Sequence, residues 1–293
     1  MLRPLDPHML ELPLWGWILA AGVLGLLVGS FLNVVILRLP ERLMAQWRLD
    51  AFDTLAMEPD GQALPPGIVR EPSHCPQCKH PLAVRDNIPL FGWLLLGGRC
   101  RYCKASISIQ YPLVELLSGL ASAVIVWKFG PSWAAVAGLV FTWMLIALSG
   151  IDFRTQYLPD QLNYPLLWLG LLLSLLPVFV SPNSAIVGAA IGYLSLWSVY
   201  WLFKLLTGKE GMGYGDFKLL AALGAWMGPT ALLPVILLSS FIGAIVGGSL
   251  IALRKHGRDI PMPFGPFIAA AGWVWFVAGE WMLQQYMQLT GLR

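Results

Sequence analysis

Residues 231–253 read ALLPVILLSSFIGAIVGGSLIAL, 23 residues without a charge, and the run closes at Arg254-Lys255. A helix crossing the hydrocarbon core of a bilayer needs about 20 such residues. Only a helix or a closed barrel can satisfy its own backbone there. Working outward, comparable apolar stretches fall at 14–37, 112–128, 133–151, 162–180, 185–206, 217–228 and 264–284. The pattern predicts an all-α polytopic membrane protein with about eight transmembrane helices. The stretch 217–228 is short, so its helix is expected to start within the headgroup layer or to lean on neighbours. Composition agrees, with 57% hydrophobic residues, 12% charged residues and a mean hydropathy of +0.67.

Charge orients the bundle. With segment 38–111 in the cytoplasm, sixteen of the 19 Lys and Arg residues face that side, leaving Arg3, Lys128 and Arg293 opposite. The inside set includes Arg38, Arg70, Arg154, Lys204, Lys209, Lys218, Arg254, Lys255 and Arg258. Under the positive-inside rule both termini then lie outside the cytoplasm. The net charge of +3 is a topology signal, membrane lipid is the expected surrounding, and no pattern of stacked aromatics and basic residues points to nucleic acid. The first apolar run is too long for a cleaved signal peptide, and Arg3, Asp6 and Glu11 precede it in place of a basic cluster. Gly25 and Gly29 within it form a small-xxx-small face for close helix packing. Asn33, polar and deep, is expected either to bond a neighbouring helix or to face an active cavity.

Segment 38–111 holds most of the polar sequence and all four cysteines, as Cys75-Pro-Gln-Cys78 and Cys100-Arg-Tyr-Cys103. Two C-x-x-C knuckles at this spacing predict a zinc ribbon, each knuckle offering two thiolates to a tetrahedral ion. The other readings are a pair of redox motifs or four unligated thiols. A closed four-cysteine site has no open position, so its zinc would be structural. Lys79, Arg99, Arg101 and Lys104 would offset part of its negative charge. His74 and His80 are expected to be loop histidines. No dinucleotide fingerprint, P-loop or G-x-S-x-G motif is present.

Two acids stand at the polar ends of apolar segments. Asp216 follows Gly211-Met212-Gly213-Tyr214-Gly215, whose alternate glycines allow backbone to approach backbone. Its bland reading is a helix N-cap. Asp152 follows an apolar helix, where the dipole disfavours negative charge, so capping does not explain it; an ion pair with Arg154 would. Asp160 is expected to be an N-cap and Glu115 to make a polar contact to the loop. If Asp152 and Asp216 meet, they cannot both ionise comfortably and would hold one proton, which is the chemistry of water activation by an aspartic peptidase.

Taken in order, several motifs closely resemble the bacterial type IV prepilin peptidases, bifunctional leader peptidase and N-methyltransferase enzymes of the membrane-embedded G-x-G-D aspartic class. They are Gly29-Ser30-Phe31-Leu32-Asn33 with Arg38-Leu39-Pro40, the two C-x-x-C pairs, Asn87-Ile88-Pro89-Leu90, and Tyr111-Pro112-Leu113-Val114-Glu115. Asp152 through Asp160, Gly211 through Lys218, and Pro263-Phe264-Gly265-Pro266-Phe267 complete the set. The resemblance implies that Asp152 and Asp216 are the catalytic pair and that Cys75, Cys78, Cys100 and Cys103 bind zinc. It implies an inner-membrane enzyme whose active site faces the cytoplasm, where it cleaves the leader of prepilins or pseudopilins. Methylation of the new amino terminus from S-adenosylmethionine would follow. The expected parts are an N-terminal helix over 1–37, a methyltransferase-associated zinc loop over 38–111 and a peptidase core over 112–293. Gly98, in Gly97-Gly98 ahead of Cys100, is either a methyl-donor contact or a turn residue, and Glu58 and Asp60 are either ligand contacts or surface acids. A proton-coupled transporter and a non-catalytic pilus or secretion assembly protein are the competing functions; the first would want midplane acids and inverted repeats.

Overall fold

The computed structural model describes residues 12–69, 71–253 and 262–291. Arg3, Asp6, Glu11, Arg70, Arg254, Lys255, Arg258 and Arg293, used above for orientation, lie outside them. Helices are α1 (Leu14–Thr54), α2 (Phe91–Leu95), α3 (Gln110–Phe129), α4 (Trp133–Thr155), α5 (Asp160–Ser174), α6 (Pro182–Thr207), α7 (Tyr214–Met227), α8 (Leu232–Ala252) and α9 (Gly265–Thr290). Among the described residues the only β pairing is two isolated antiparallel bridges.

Among the described residues six helical runs are long and apolar enough to span: α1, α3, α4, α6, Pro229–Leu250 and α9. The all-helical membrane fold is as expected, but the count of eight spans is not confirmed among the described residues. The two other predicted stretches do form helices, α5 with 15 residues and α7 with 14. At about 1.5 Å per residue both fall well short of a ~30 Å core. Helix α5 stops at Ser174 because Pro177 has no N–H and disfavours helical geometry in the residue before it. Tighter bonds from the Leu175 and Leu176 amides to the Leu172 and Leu173 carbonyls, both 3.1 Å, close the end. Helix α7 ends at Gly228, whose φ of +77° and ψ of 176° suit glycine alone.

The chain divides into two compact units, Leu12–Trp127 and the part from Lys128 onward. In the first, α1 and α3 meet through the small face read from the sequence. A Cβ on Gly29 would stand 2.7 Å from the Glu115 Cα, and one on Gly25 would stand 2.5 Å from the Ser118 carbonyl oxygen. Asn33 is buried and its amide donates to the carbonyls of Gly29 (3.3 Å) and Tyr111 (3.1 Å), so it bonds the neighbouring helix. Helix α1 runs on without a break past residue 37, through Pro40, to Thr54. Its Arg38 guanidinium donates to the carbonyls of Gly67, Glu71 and Pro72, and Arg42 donates to that of Pro65. These bonds tie Pro65, Gly67, Glu71 and Pro72 to the helix.

The second unit is built around α7. From Asp216 to Trp226 every residue except Lys218 is buried, the pattern of a helix enclosed on all sides. Close approach makes the enclosure possible. Gly188 of α6 and Gly224 of α7 touch so tightly that a Cβ on either would run into the carbonyl oxygen of the other. Gly170 of α5 lies against the Trp226 ring, whose Nε1 donates to the Leu166 carbonyl at 2.8 Å. Gly272 of α9 lies against Leu223. Neighbours on several sides thus explain how so short an apolar helix is accommodated. Replacing Gly224 by Val should cost about 1–3 kcal/mol or more through forced separation of α6 and α7. A thermal melt in detergent reads this as a lowered midpoint, and a wild-type midpoint would contradict the packing.

Candidate active site and metal centre

Asp152 lies in the last turn of α4 and is buried, 4% exposed. Its Oδ2 accepts a hydrogen bond from the Gly265 amide at 3.0 Å. Gly265 is the first residue of α9, so the carboxylate occupies a helix N-terminus, where free N–H groups and the dipole favour negative charge. A Cβ on Gly265 would stand 2.7 Å from that same Oδ2, so glycine is the residue that lets carboxylate and helix meet.

Asp216 stands in the first turn of α7, three residues after the N-cap Gly213, and is 7% exposed. It is therefore not the N-cap itself. Its amide donates to the Gly213 carbonyl at 3.2 Å, and its Oδ1 is buried without a hydrogen-bond partner. Leu158, buried in the α4–α5 turn, joins the two acids. It lies 2.7 Å from where a Cβ of Gly215 would be and 3.0 Å from where one of Gly265 would be. The starts of α7 and α9 thus converge on one side chain, and Asp152 is near enough for its charge to act on Asp216. A buried carboxylate with one partnerless oxygen, within reach of the charge of a second buried acid, is an arrangement able to take a proton from water and return it.

Asp160 departs from expectation. Pro159 is the N-cap, Asp160 is the first residue of α5, and its carboxylate binds the Lys218 ammonium at 2.6 and 2.9 Å. The cation of α7, not the orphan amides of α5, satisfies it. Glu115 makes the expected contact to the loop, accepting from the Leu90 amide at 2.8 Å. The sequence alone assigns no role to Gly265 or Leu158. The signal for Gly265 was present in Gly265-Pro266, because proline in the first turn marks a helix start.

The cysteines form one cluster. All four Sγ atoms lie within 4.8 Å of one another, with Cys75 and Cys103 at 3.7 Å and Cys78 and Cys100 at 4.0 Å. Four thiolates about 2.3 Å from a tetrahedral ion would stand about 3.8 Å apart, so the donor set fits such a metal. These spacings are far from the ~2.05 Å of a disulfide. The two knuckles repeat one design. Cys75 bonds through its amide to the His80 carbonyl and Cys100 to that of Ala105, while Lys79 and Lys104 bond back to Cys75 and Cys100. Both lysines take left-handed φ values, 58° and 60°. The Cys78 and Gln77 amides draw the Cys75 thiol down to about 6, against desolvation, while, against the His80 amide, desolvation and the neighbouring sulfur atoms push the Cys78 thiol up to about 11, so the cluster holds protons unequally in the absence of an ion. Arg101 binds Asp86 through the guanidinium and holds its carboxyl below the usual range. His80 stacks on Tyr102, and His74 and His80 stand outside the cluster of four.

Gly97 and Gly98 both take positive φ, 58° and 68°. Gly98 is buried behind Trp93, whose ring would stand 2.9 Å from a Cβ, and its carbonyl accepts from the Ile107 amide. Conformation and packing each call for glycine there. Asp60 pairs with Arg48 at 3.6 Å, and Glu58 is exposed.

Fold and site together define a polytopic integral membrane protein with two buried carboxylates in one unit and a four-cysteine cluster in the other. Residues 23–129 match the Bacterial Peptidase A24 N-terminal domain, and residues 139–248 match the Type IV leader peptidase family. The chain belongs to the type IV leader peptidase family. It is 52% identical over 289 residues to a prepilin leader peptidase/N-methyltransferase of Xanthomonas campestris pv. campestris, covering 99% of each chain. A protein of the same name from Pseudomonas aeruginosa is 49% identical over 290 residues, 99% of this chain and 100% of that one. One from Stutzerimonas stutzeri is 52% identical over 278 residues, 94% of this chain and 96% of that one. No solved structure matches.

Substituting Cys75 or Cys100 by Ser should lower bound metal from about one ion per chain and expose the loop to protease, while helix content holds. Elemental analysis with limited proteolysis measures both. Full metal retention in the Cys75→Ser/Cys100→Ser double variant would rule out the four-thiolate centre.

Proposed function

We propose that this protein is an aspartic endopeptidase and N-methyltransferase. It cleaves the leader of type IV prepilins, of type II secretion pseudopilins or of both, then methylates the new amino terminus using S-adenosylmethionine. The observation that carries the peptidase half is the convergence of Asp152 and Asp216 through Leu158, with Asp216 Oδ1 left without a partner. Relatives about half identical over nearly the whole chain carry both activities in their name.

In the proposed mechanism, Asp152 and Asp216 share one proton, since two close carboxylates resist double ionisation. The ionised member takes a proton from water as the water oxygen attacks the scissile carbonyl. The protonated member donates to the carbonyl oxygen, and the pair then delivers a proton to the departing amine. The α9 N-terminus at Asp152 and the fixed first turn of α7 at Asp216 keep both groups in place through the cycle. A transporter reading has no counterpart observation, because these acids stand at helix ends and not mid-helix.

The metal proposed for Cys75, Cys78, Cys100 and Cys103 is zinc, which would fix the loop fold and take no part in cleavage. We place the methyl donor on the cysteine-bearing unit, with Gly98 as its proposed contact. The protein is proposed to lie in the bacterial inner membrane with the aspartates facing the cytoplasm, as the distribution of Lys and Arg favours.

The two activities should separate. Asp216→Asn protein should leave a prepilin uncut yet transfer labelled methyl to a mature pilin whose amino terminus is free. Normal cleavage by this variant would remove Asp216 from the reaction, and loss of both activities in a folded protein would mean one shared site. Gly98→Val should lower methyl transfer while cleavage holds; because Gly98 has a φ of 68° with the Trp93 ring against it, metal content measured on the same protein separates loss of a donor contact (metal kept) from loss of the turn (metal lost).

A further inference from the structure

Lys218 is the exception in α7, the one residue between Asp216 and Trp226 that is not buried. Its ammonium bonds both oxygens of Asp160, at 2.6 and 2.9 Å, and lies 5.0 Å from the centre of the Tyr164 ring one turn along α5. The pair is not needed to bring α5 and α7 together. Trp226, two turns further down α7, already bonds the Leu166 carbonyl, and Gly170 packs on its ring. What the pair adds lies at the mouth. Asp160 is eight residues after Asp152, joined to it by the α4 end, the left-handed Gln156 and the buried Leu158; Lys218 is two residues after Asp216. The ion pair therefore closes a ring that contains both acids: Asp152 along the chain to Asp160, across to Lys218, and back along α7 to Asp216. Residues two apart on a helix point about 200° from each other, so Lys218 faces away from Asp216 and acts on it through the backbone.

We propose that the Asp160–Lys218 ion pair is the positioning device of the peptidase site, setting the separation of Asp216 from Asp152 by pinning the mouth of α7 to the α4–α5 turn. This rests on the peptidase reading of the two aspartates. The test uses full-length protein in detergent with a prepilin as probe, comparing Lys218→Met, Asp160→Asn and Lys218→Arg. Breaking the pair should lower kcat for cleavage about 10- to 100-fold, the scale of a small misplacement of reacting groups, with KM little changed. Lys218→Arg, which keeps a cation able to reach Asp160, should recover most of the rate. Methyl transfer to a mature pilin and metal content should be untouched in all three. Should Lys218→Met fail to fold, Asp160→Asn, which conserves volume, carries the comparison. An unchanged kcat in a variant that lacks the pair would overturn the proposal. So would cleavage losses that merely track a falling thermal midpoint, or no rescue by Arg. A wild-type protein that cleaves no prepilin would instead remove the peptidase reading on which the inference stands.

Discussion

A carboxylate beside hydrocarbon is costly unless something holds and solvates it, and here the holder of Asp152 is the start of a helix. The Gly265 amide, 3.0 Å from Asp152 Oδ2, provides a hydrogen bond and the positive end of α9 at once. Everything else in the second unit follows from keeping that helix start and the first turn of α7 on the same spot. Leu158 serves both, and glycine at 215 and 265 is what allows it, since each would otherwise place a Cβ within about 3 Å of the leucine side chain.

The same economy of side chains explains α7. A 14-residue helix cannot cross a bilayer, yet it carries Asp216 at its mouth and is buried almost throughout. It is held by glycines on three neighbours, Gly188 and Gly192 of α6, Gly170 of α5 and Gly272 of α9, each close enough to leave no room for a Cβ. Without a hydrophobic drive between helices in lipid, such close backbone contact is the main source of association. The first unit uses the device once more, at Gly25 and Gly29. Its loop depends on different forces: arginine bonds from α1 to the carbonyls of Gly67 and Pro65, and four sulfur atoms within 4.8 Å of one another.

Much of this was legible in the sequence. Apolar stretches located the helices, because length and lack of charge are sufficient signals in a bilayer. The cysteine spacing located the cluster, because two knuckles can fold only so many ways around one ion. Asp152 and Asp216 were legible as acids where acids are unfavourable. Span count was not, because Pro177 and Gly228 end α5 and α7 for reasons local to the backbone, while hydropathy runs on past Pro177. Asp160 was misread since a residue after proline at a helix start looks like a cap until its partner, 58 positions away, is seen. Gly265-Pro266 marks a helix start but not the carboxylate that start receives, and Leu158 carries no signal at all, its role being set by long-range packing and not by residue type.

The central claim is that Asp152 and Asp216 form one acid–base unit and not two separate contributors. Residual cleavage rates of Asp152→Asn, Asp216→Asn and the double variant, measured on one prepilin at saturating concentration, test it directly. If the two share a task, the double variant should be no slower than the slower single variant. Losses that multiply in the double variant would show that each acid works alone and would contradict the account.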